Sequence, residues 1–461
     1  MINNLYASYK DPSGFVFAYK NKIYRQINIQ YKDDYDLLIS SGLYDKLTSD
    51  GLLIKHKEVS LPSLPAHAYK IIEPEKIPFI SYPYEWCFSQ FKDAALLTLQ
   101  IQKISMDYGM SLKDASSFNI QFEGGKPIFI DTLSFEKYQE GIPWIAYKQF
   151  CEQFLSPLAL MAHTDTRLNK LLIANLGSIP LDLTVKLLPL LGKFKPALFL
   201  HLYLHSRSQK KYATEALVKR STGSITKTAL LGIIDSLESA IRNIRLYTRS
   251  DWSTYYGGHE KCFYDQTSFS EKKSLVTKYL QIAKPKTLWD IGANTGQFSR
   301  ISANLGIFTL SLDIDHDSVE QNYLALKKNK ENNILPLWID IANPTPSLGW
   351  ANLERSSLLG RPKPDTILAL ALIHHLCLGG NLPFTYLSEF FAHLTQSLII
   401  EFVPIDDPNA KTLIAGRDEI FTDYNQESFE KEFRERFAII EKSKISGIGR
   451  TLYLLTNKNL L

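Results

Sequence analysis

The chain has 461 residues, 45% hydrophobic, 12% aromatic and 22% charged, which is enough apolar material for two or three cores. A formal net charge of +4 is too mild to demand a nucleic-acid partner, and four scattered cysteines (Cys87, Cys151, Cys262, Cys377) provide neither a disulfide framework nor metal-ligand spacing. No secretory signal opens the chain, and the most apolar run, Leu181 to Tyr203, is broken by Lys186, Pro189, Lys193, Lys195 and Pro196, so the expectation is a cytoplasmic protein with no metal and no membrane span.

In chain order, Gly14–Tyr19 and Ile23–Ile27 read as a β-hairpin around a polar turn. Tyr35 to Leu53 has helical spacing, and Pro62, Pro65, Pro74, Pro78 and Pro83 then mark a loop-rich stretch. Trp86 to Tyr108 reads as a long helix with Phe91, Ala95, Leu99 and Ile101 near one face. Leu112 to Ser134 reads as loop, strand, Gly124-Gly125 turn and strand. Within it, Asp114, Asn119 and Asp131 have a spacing that resembles the catalytic loop and metal-binding Asp of the kinase fold.

That resemblance implies an Asp accepting a substrate proton and an Asn and a later Asp holding metal. The chain departs from it. Leu112 stands where the motif has His, Thr132-Leu133 follow Asp131 in place of Phe-Gly, and no glycine-rich nucleotide loop is present. Arg25 lies on a plausible strand where a kinase has Lys. Two readings stand: a kinase-like shell used for binding, or an unrelated α+β domain whose Asp and Asn cap turns.

Tyr147 to Leu204 reads as packed helices, followed by a basic stretch over Ser206–Tyr212, Lys219-Arg220 and Lys227. Ile233 to Leu246 reads as an amphipathic helix with Arg242 and Arg245 outside. The expected division is an α+β domain over 1–205, a basic helical connector over 206–250 and a final domain over 251–461. The basic stretch reads as a solvated face, with no aromatic interleaving to suggest nucleic acid.

From Phe269 helices and strands alternate regularly. Strands are expected at Thr287–Ile291, Phe308–Ile314, Ile334–Asp340, Asp365–Ala371 and Ser397–Val403, then Phe437–Lys442 and Thr451–Leu455 with no helix between the last pair. Repeated βα units imply an α/β domain with a parallel sheet covered on both faces. After the first strand comes Asp290-x-Gly292-x-Asn294-x-Gly296, a glycine turn that opens a helix at Gln297. A dinucleotide fingerprint would carry G-x-G-x-x-G/A, and Phe298 or Ser299 fills the last small position here. An acid before the turn would repel a pyrophosphate and suits a cationic, amine-bearing ligand.

The segment resembles motif I of the class I S-adenosylmethionine (SAM) methyltransferases, and the closing pair of strands matches their antiparallel seventh strand. The runs Trp338–Trp350 and Ala371–Leu376 are similar to a subset with a long N-terminal extension that includes nodulation-type proteins. The resemblance implies a Rossmann-like seven-stranded domain that binds SAM through Asp290, Gly292, Asn294, Gly296, Asp313 and Asp340. Asp313 would take the ribose hydroxyls and Asp340 the adenine amine, while Asp315 and Asp317 read as helix caps.

His374 or His375, after the fourth strand, is the candidate general base for a hydroxyl acceptor, with capping or packing as the alternative. The NPPY-type motif of enzymes that methylate amino groups on DNA or glutamine is absent here, which favours O-methylation of a small molecule or glycan, or a small amine. Glu401 and Asp406 either face the acceptor or, for Glu401, pair with Arg417. Trp252, Tyr255 and Tyr256 either close over the cofactor or pack on the sheet. The alternatives to a methyltransferase are a kinase-like phosphotransferase and a non-catalytic binding protein. Acceptor and oligomeric state are left open.

Overall fold

The computed structural model describes residues 3–61, 67–189, 195–206, 225–246, 266–414 and 423–460. Trp252, Tyr255, Tyr256, Cys262, Arg417 and most of the basic stretch after Ser206 lie outside them. The chain forms two compact units: Met1–Tyr247 with Ser347–Ser356, and Thr248–Pro346 with Ser357–Leu461. No helix among the described residues is long and apolar enough to cross a membrane.

The first unit opens on an antiparallel sheet in the order β1-β2-β3-β5-β4, built from Asn3–Asn4, Gly14–Tyr19, Lys22–Asn28, His56–Val59 (β4) and Ala68–Pro74 (β5). The β2–β3 hairpin turns on Lys20 and Asn21, both left-handed at φ 47° and 62°, whose twist matches the flanking strands. Strand β5 runs through the stretch expected to be loop. Its one proline closes the strand, and Ile71 and Ile72 are buried, so the prolines around it concealed a paired segment. The single helix expected over Tyr35–Leu53 is two, α1 (Lys32–Ser40) and α2 (Leu43–Ser49), because Gly42 sits at φ 81° between them.

Helix α3 (Phe88–Asp107) buries Phe91, Ala95, Leu99 and Ile101 as its spacing demands. Further helices follow at Ser156–His163 (α4), Leu181–Leu187 (α5) and Lys227–Asn243 (α6). Two small antiparallel pairs, β6 (Met110–Leu112) with β9 (Phe135–Lys137) and β7 (Ile120–Glu123) with β8 (Lys126–Phe129), flank the residues of the kinase-like spacing. The segment Ser347–Ser356 belongs to this unit, although it leaves the chain just after the third strand of the second unit. Glu354 is buried and accepts from Lys10 Nζ at 2.6 Å, Tyr9 Oη at 3.1 Å and Trp350 N at 2.8 Å. The Arg355 guanidinium lies 4.5 Å from the Phe118 ring, and Ser356 N donates to Tyr82 Oη at 2.9 Å.

The second unit is a seven-stranded sheet in the order β12-β11-β10-β13-β14-β16-β15. Five strands are parallel: β10 (Thr287–Ile291), β11 (Phe308–Asp313), β12 (Ile334–Trp338), β13 (Thr366–Ala369) and β14 (Ser397–Phe402). Strand β16 (Thr451–Asn457) enters antiparallel between β14 and β15 (Phe437–Lys444). That insertion is the seventh-strand arrangement of the class I methyltransferase fold. Among the described residues the unit's longer helices are α7 (Gln266–Ala283), α8 (Gln297–Asn304), α9 (His316–Asn329), α10 (Phe384–Leu394) and α11 (Gln426–Arg436). One core joins α7 and α8 to the sheet through Val276, Leu280, Phe298, Leu288, Leu368 and Ile399. With β10 central, its carboxyl end opens where the strand order reverses, which is where open α/β sheets bind ligands.

Candidate functional site

Strand β10 ends at Ile291 and the chain turns through Gly292 (φ 75°), Asn294 (φ 50°) and Gly296 (φ 79°) into α8. A Cβ on Gly296 would stand 2.4 Å from Asn322 Oδ1, so only glycine fits. A Cβ on Gly292 would stand 3.2 Å from Leu372 Cδ1, so the third residue after β13 is laid over this turn. Gly292 N and Ala293 N both donate to Leu312 O, at 2.9 and 3.0 Å, which ties the turn to β11. Arg300 Nη1 donates to the carbonyls of Thr295 and Gly296 and to Asn322 Oδ1, so this guanidinium braces the turn from behind.

Asp313 ends β11 beside the turn. Its Oδ2 accepts Asn294 N at 2.7 Å and its Oδ1 accepts Asp315 N at 2.8 Å. The Ile314 N–H also bears on this carboxylate, which with about four lone-pair sites can still accept from a ligand hydroxyl. Burial pushes its pKa up to about 6, against the backbone N–H groups that favour the charge. Asp290 is placed differently. It is buried, accepts Ser299 Oγ at 2.6 Å and so fastens α8 to β10, and burial lifts its pKa to about 7. Asp340 lies two residues beyond β12, with Oδ1 accepting Ala342 N at 2.8 Å in a turn. Asp315 is the N-cap of α9, its Oδ2 accepting Ser318 N at 2.8 Å, while Asp317 in the first turn contacts His316. The residues at this strand edge fit a sulfonium nucleoside: a buried carboxylate, a turn with glycine at both ends, and acids where a pyrophosphate would need cations.

The rings of His374 and His375, after β13, lie 4.2 Å apart and tilted by 40°. His374 is fully buried, with both ring nitrogens unpaired, and burial holds its pKa well below the ordinary value. His375 is half-buried, and burial followed by the Arg450 charge lowers its pKa too. Beneath them lies a buried charge network that sequence reasoning missed. Lys272 Nζ on α7 meets Glu401 Oε2 at 2.6 Å, and Arg450 grips Asp407 through Nε at 2.7 Å and Nη2 at 3.1 Å. Arg450 Nη1 also stands 3.7 Å from Glu401 Oε1. Glu401 therefore serves the interior through Lys272 and Arg450, and Asp407 is engaged while its neighbour Asp406 is exposed. The signal in the sequence was one Lys in an otherwise ordinary helix and one Arg just before the last strand.

No protein-family model matches the chain. It is 32% identical over 456 residues to the nodulation protein NoeA of Rhizobium meliloti (strain 1021), covering 97% of this chain and 94% of that one. The chain belongs to the NoeA family. Among solved structures it resembles the Synechocystis PCC 6803 magnesium protoporphyrin IX methyltransferase ChlM with bound SAH (17% identity, 45% of this chain and 92% of that one, TM-score 0.33). It also resembles the bifunctional kinase-methyltransferase WbdD (15%, 44% and 43%, TM-score 0.31) and the N-methyltransferase NodS from Bradyrhizobium japonicum WM9 (12%, 45% and 96%, TM-score 0.32). These likenesses are too loose to add to the strand order and the site. Strand order and site make the C-terminal half of this NoeA-family chain a class I SAM-dependent methyltransferase domain.

The same NoeA-family chain brings Asp114, Asn119 and Asp131 together in its first unit. Asp114 accepts Gln149 Nε2 at 2.7 Å and Ser116 N at 2.9 Å, and burial, then the Asp131 charge, raise its pKa. Asn119 Nδ2 donates to Ser134 Oγ at 3.1 Å. Asp131 accepts Arg25 Nη1 at 2.6 Å, Leu133 N at 2.9 Å and Ser134 Oγ at 2.8 Å, while Arg25 Nη2 also holds Asp11. A guanidinium thus neutralises the carboxylate to which the kinase resemblance assigns metal. Among the described residues, no group of three or more His, Cys, Asp and Glu is placed to hold a metal ion.

Proposed function

We propose that the second unit transfers the methyl group of SAM to a hydroxyl of a small molecule or glycan. The observation that carries this reading is Asp313, a buried carboxylate at the strand end beside the left-handed Gly292–Gly296 turn. Asp313 would hold the ribose hydroxyls, Asp340 the adenine amine, and the Gly292, Asn294 and Gly296 backbone the remainder. When bound, SAM supplies a methyl group already activated on a sulfonium. Methyl transfer then asks the protein chiefly to orient the acceptor oxygen.

His375 is the proposed base. Its lowered pKa keeps the imidazole neutral at pH 7, ready to take the hydroxyl proton, whereas His374 is sealed in the interior. Cys377, two residues after His375, lines a cavity of about 500 Å³ with Leu382, Phe384, Thr385, Asp423 and Tyr424 among others. Aromatic and apolar walls with hydroxyl and carboxylate groups among them suit a hydroxylated acceptor.

Two measurements test the reading. In thermal shift assays, SAM or S-adenosylhomocysteine (SAH) is expected to stabilise the protein and ATP with Mg²⁺ is not; the reverse pattern would transfer the function to the first unit. Transfer of labelled methyl from SAM in cell extract should then identify the acceptor. The pH dependence of SAH affinity is a separate prediction. The ionised form of Asp313 accepts both hydroxyls, so affinity is full above its pKa of about 6 and falls below it. Between about pH 7.5 and 5 the expected loss is roughly tenfold. A flat profile by titration calorimetry would remove Asp313 from the ribose.

A further inference from the structure

We propose that Lys272 and Glu401 are positioning residues for this site, clamping the backbone at Ala371 so that Leu372 and the two histidines stand where the cofactor turn needs them. The inference rests on the methyltransferase reading above. Ala371 follows β13 and is left-handed, at φ 48°, a conformation that a residue with a Cβ holds only when its surroundings impose it. What imposes it is Glu401. Its Oε2 accepts Ala371 N at 2.7 Å and Lys272 Nζ at 2.6 Å, so one carboxylate oxygen ties α7, β14 and the end of β13 together. Glu401 and Lys272 are both fully buried, and such a pair persists only with this degree of mutual satisfaction.

The reversal at Ala371 has two geometric results. It carries Leu372 onto the glycine turn, 3.2 Å from where a Gly292 Cβ would be. It also starts a helical turn in which Leu372 O accepts His375 N at 2.9 Å and Leu376 N at 3.2 Å, and this turn fixes both imidazoles. Lys272 further places its ammonium 4.9 Å from the ring of Phe298, the second residue of the helix that the glycine turn opens. The pair therefore bears on both the glycine turn, through Leu372 and Phe298, and the turn that carries the histidines. It touches neither acceptor nor sulfonium and acts through backbone.

Titration of the full chain with SAH tests this, with wild type, Glu401→Leu, Ala371→Gly and the double variant. Glu401→Leu removes the acceptor for Ala371 N and is expected to weaken SAH by about tenfold or more. Glycine adopts the left-handed conformation unaided, so the double variant should regain affinity to within about threefold of wild type. Its thermal midpoint should stay at the lowered value of Glu401→Leu, since the buried pair is still broken. That split, affinity rescued and stability not, is what a merely structural pair would not produce. Should Glu401→Leu fail to fold, the apolar pair Lys272→Met with Glu401→Leu, with and without Ala371→Gly, makes the same comparison. Unchanged affinity in the charge variants, or affinity that Ala371→Gly does not restore, overturns the clamp. Wild-type protein that ignores SAH would instead overturn the methyltransferase reading.

Discussion

Asp313→Ala should weaken SAH binding by about a hundredfold while leaving the protein folded. The carboxylate is expected to accept two hydroxyl hydrogens, each charge-assisted bond being worth roughly 1.5–3 kcal/mol when both partners are present. Some of that is offset by water entering the space, and about 2.7 kcal/mol corresponds to a hundredfold. Asp313→Asn, which keeps one acceptor, should lose about tenfold. Stability should move little, and the sign can be worked out. The folded pKa of Asp313 lies near 6, above its ordinary value, so its share of stability is present at low pH and lost as pH rises towards 6. Above that pH the wild-type carboxylate costs stability, which compensates for the Asn294 and Asp315 hydrogen bonds that alanine removes. Titration calorimetry and thermal unfolding on the same samples decide it. Affinity within threefold of wild type would mean the nucleoside lies elsewhere.

Arg450→Met should have the largest effect on stability. Arg450 is fully buried and grips Asp407 through two bonds while lying near Glu401. Methionine fills much of the volume but strands Asp407, itself nearly buried, with its charge. Breaking one side of a buried pair costs about 3–5 kcal/mol. For a unit of this size that is a fall of roughly 10 °C in the thermal midpoint. Arg450→Met with Asp407→Leu should recover a good part, because an apolar pair leaves no charge uncompensated. If the single variant unfolds at the wild-type temperature, the network is a surface decoration in solution.

The C-terminal fold could be read from the sequence because its parallel strands are short, largely apolar runs that alternate regularly with helical spacing. Thr287–Ile291 was found to the residue, and Asp313 stands at the strand end expected of it. The site's supporting groups could not be found that way. Lys272 and Glu401 are 129 residues apart, so no local spacing links them, and a buried Lys looks like any helix surface Lys until the fold is known. Asp290 shows the converse. Its place before the glycine turn suggested a ligand contact, but side chains alternate along a strand, and its oxygen meets Ser299. In the first unit the prolines around Ala68–Pro74 concealed a strand, since proline at a strand's end disrupts no ladder bond within it.

The segment Ser347–Ser356 constrains how such a protein can be divided. Because it belongs with residues 1–247 and is encoded inside the methyltransferase half, the chain crosses between the units at 247, at 346 and again at 356. A gene fragment starting at residue 248 would carry Glu354 away from Lys10 and Tyr9, and a fragment ending at 247 would lack the Arg355 that covers Phe118. Recombination at a single junction therefore cannot exchange either half intact. Any engineered chimera needs the short excursion transplanted together with the N-terminal partner.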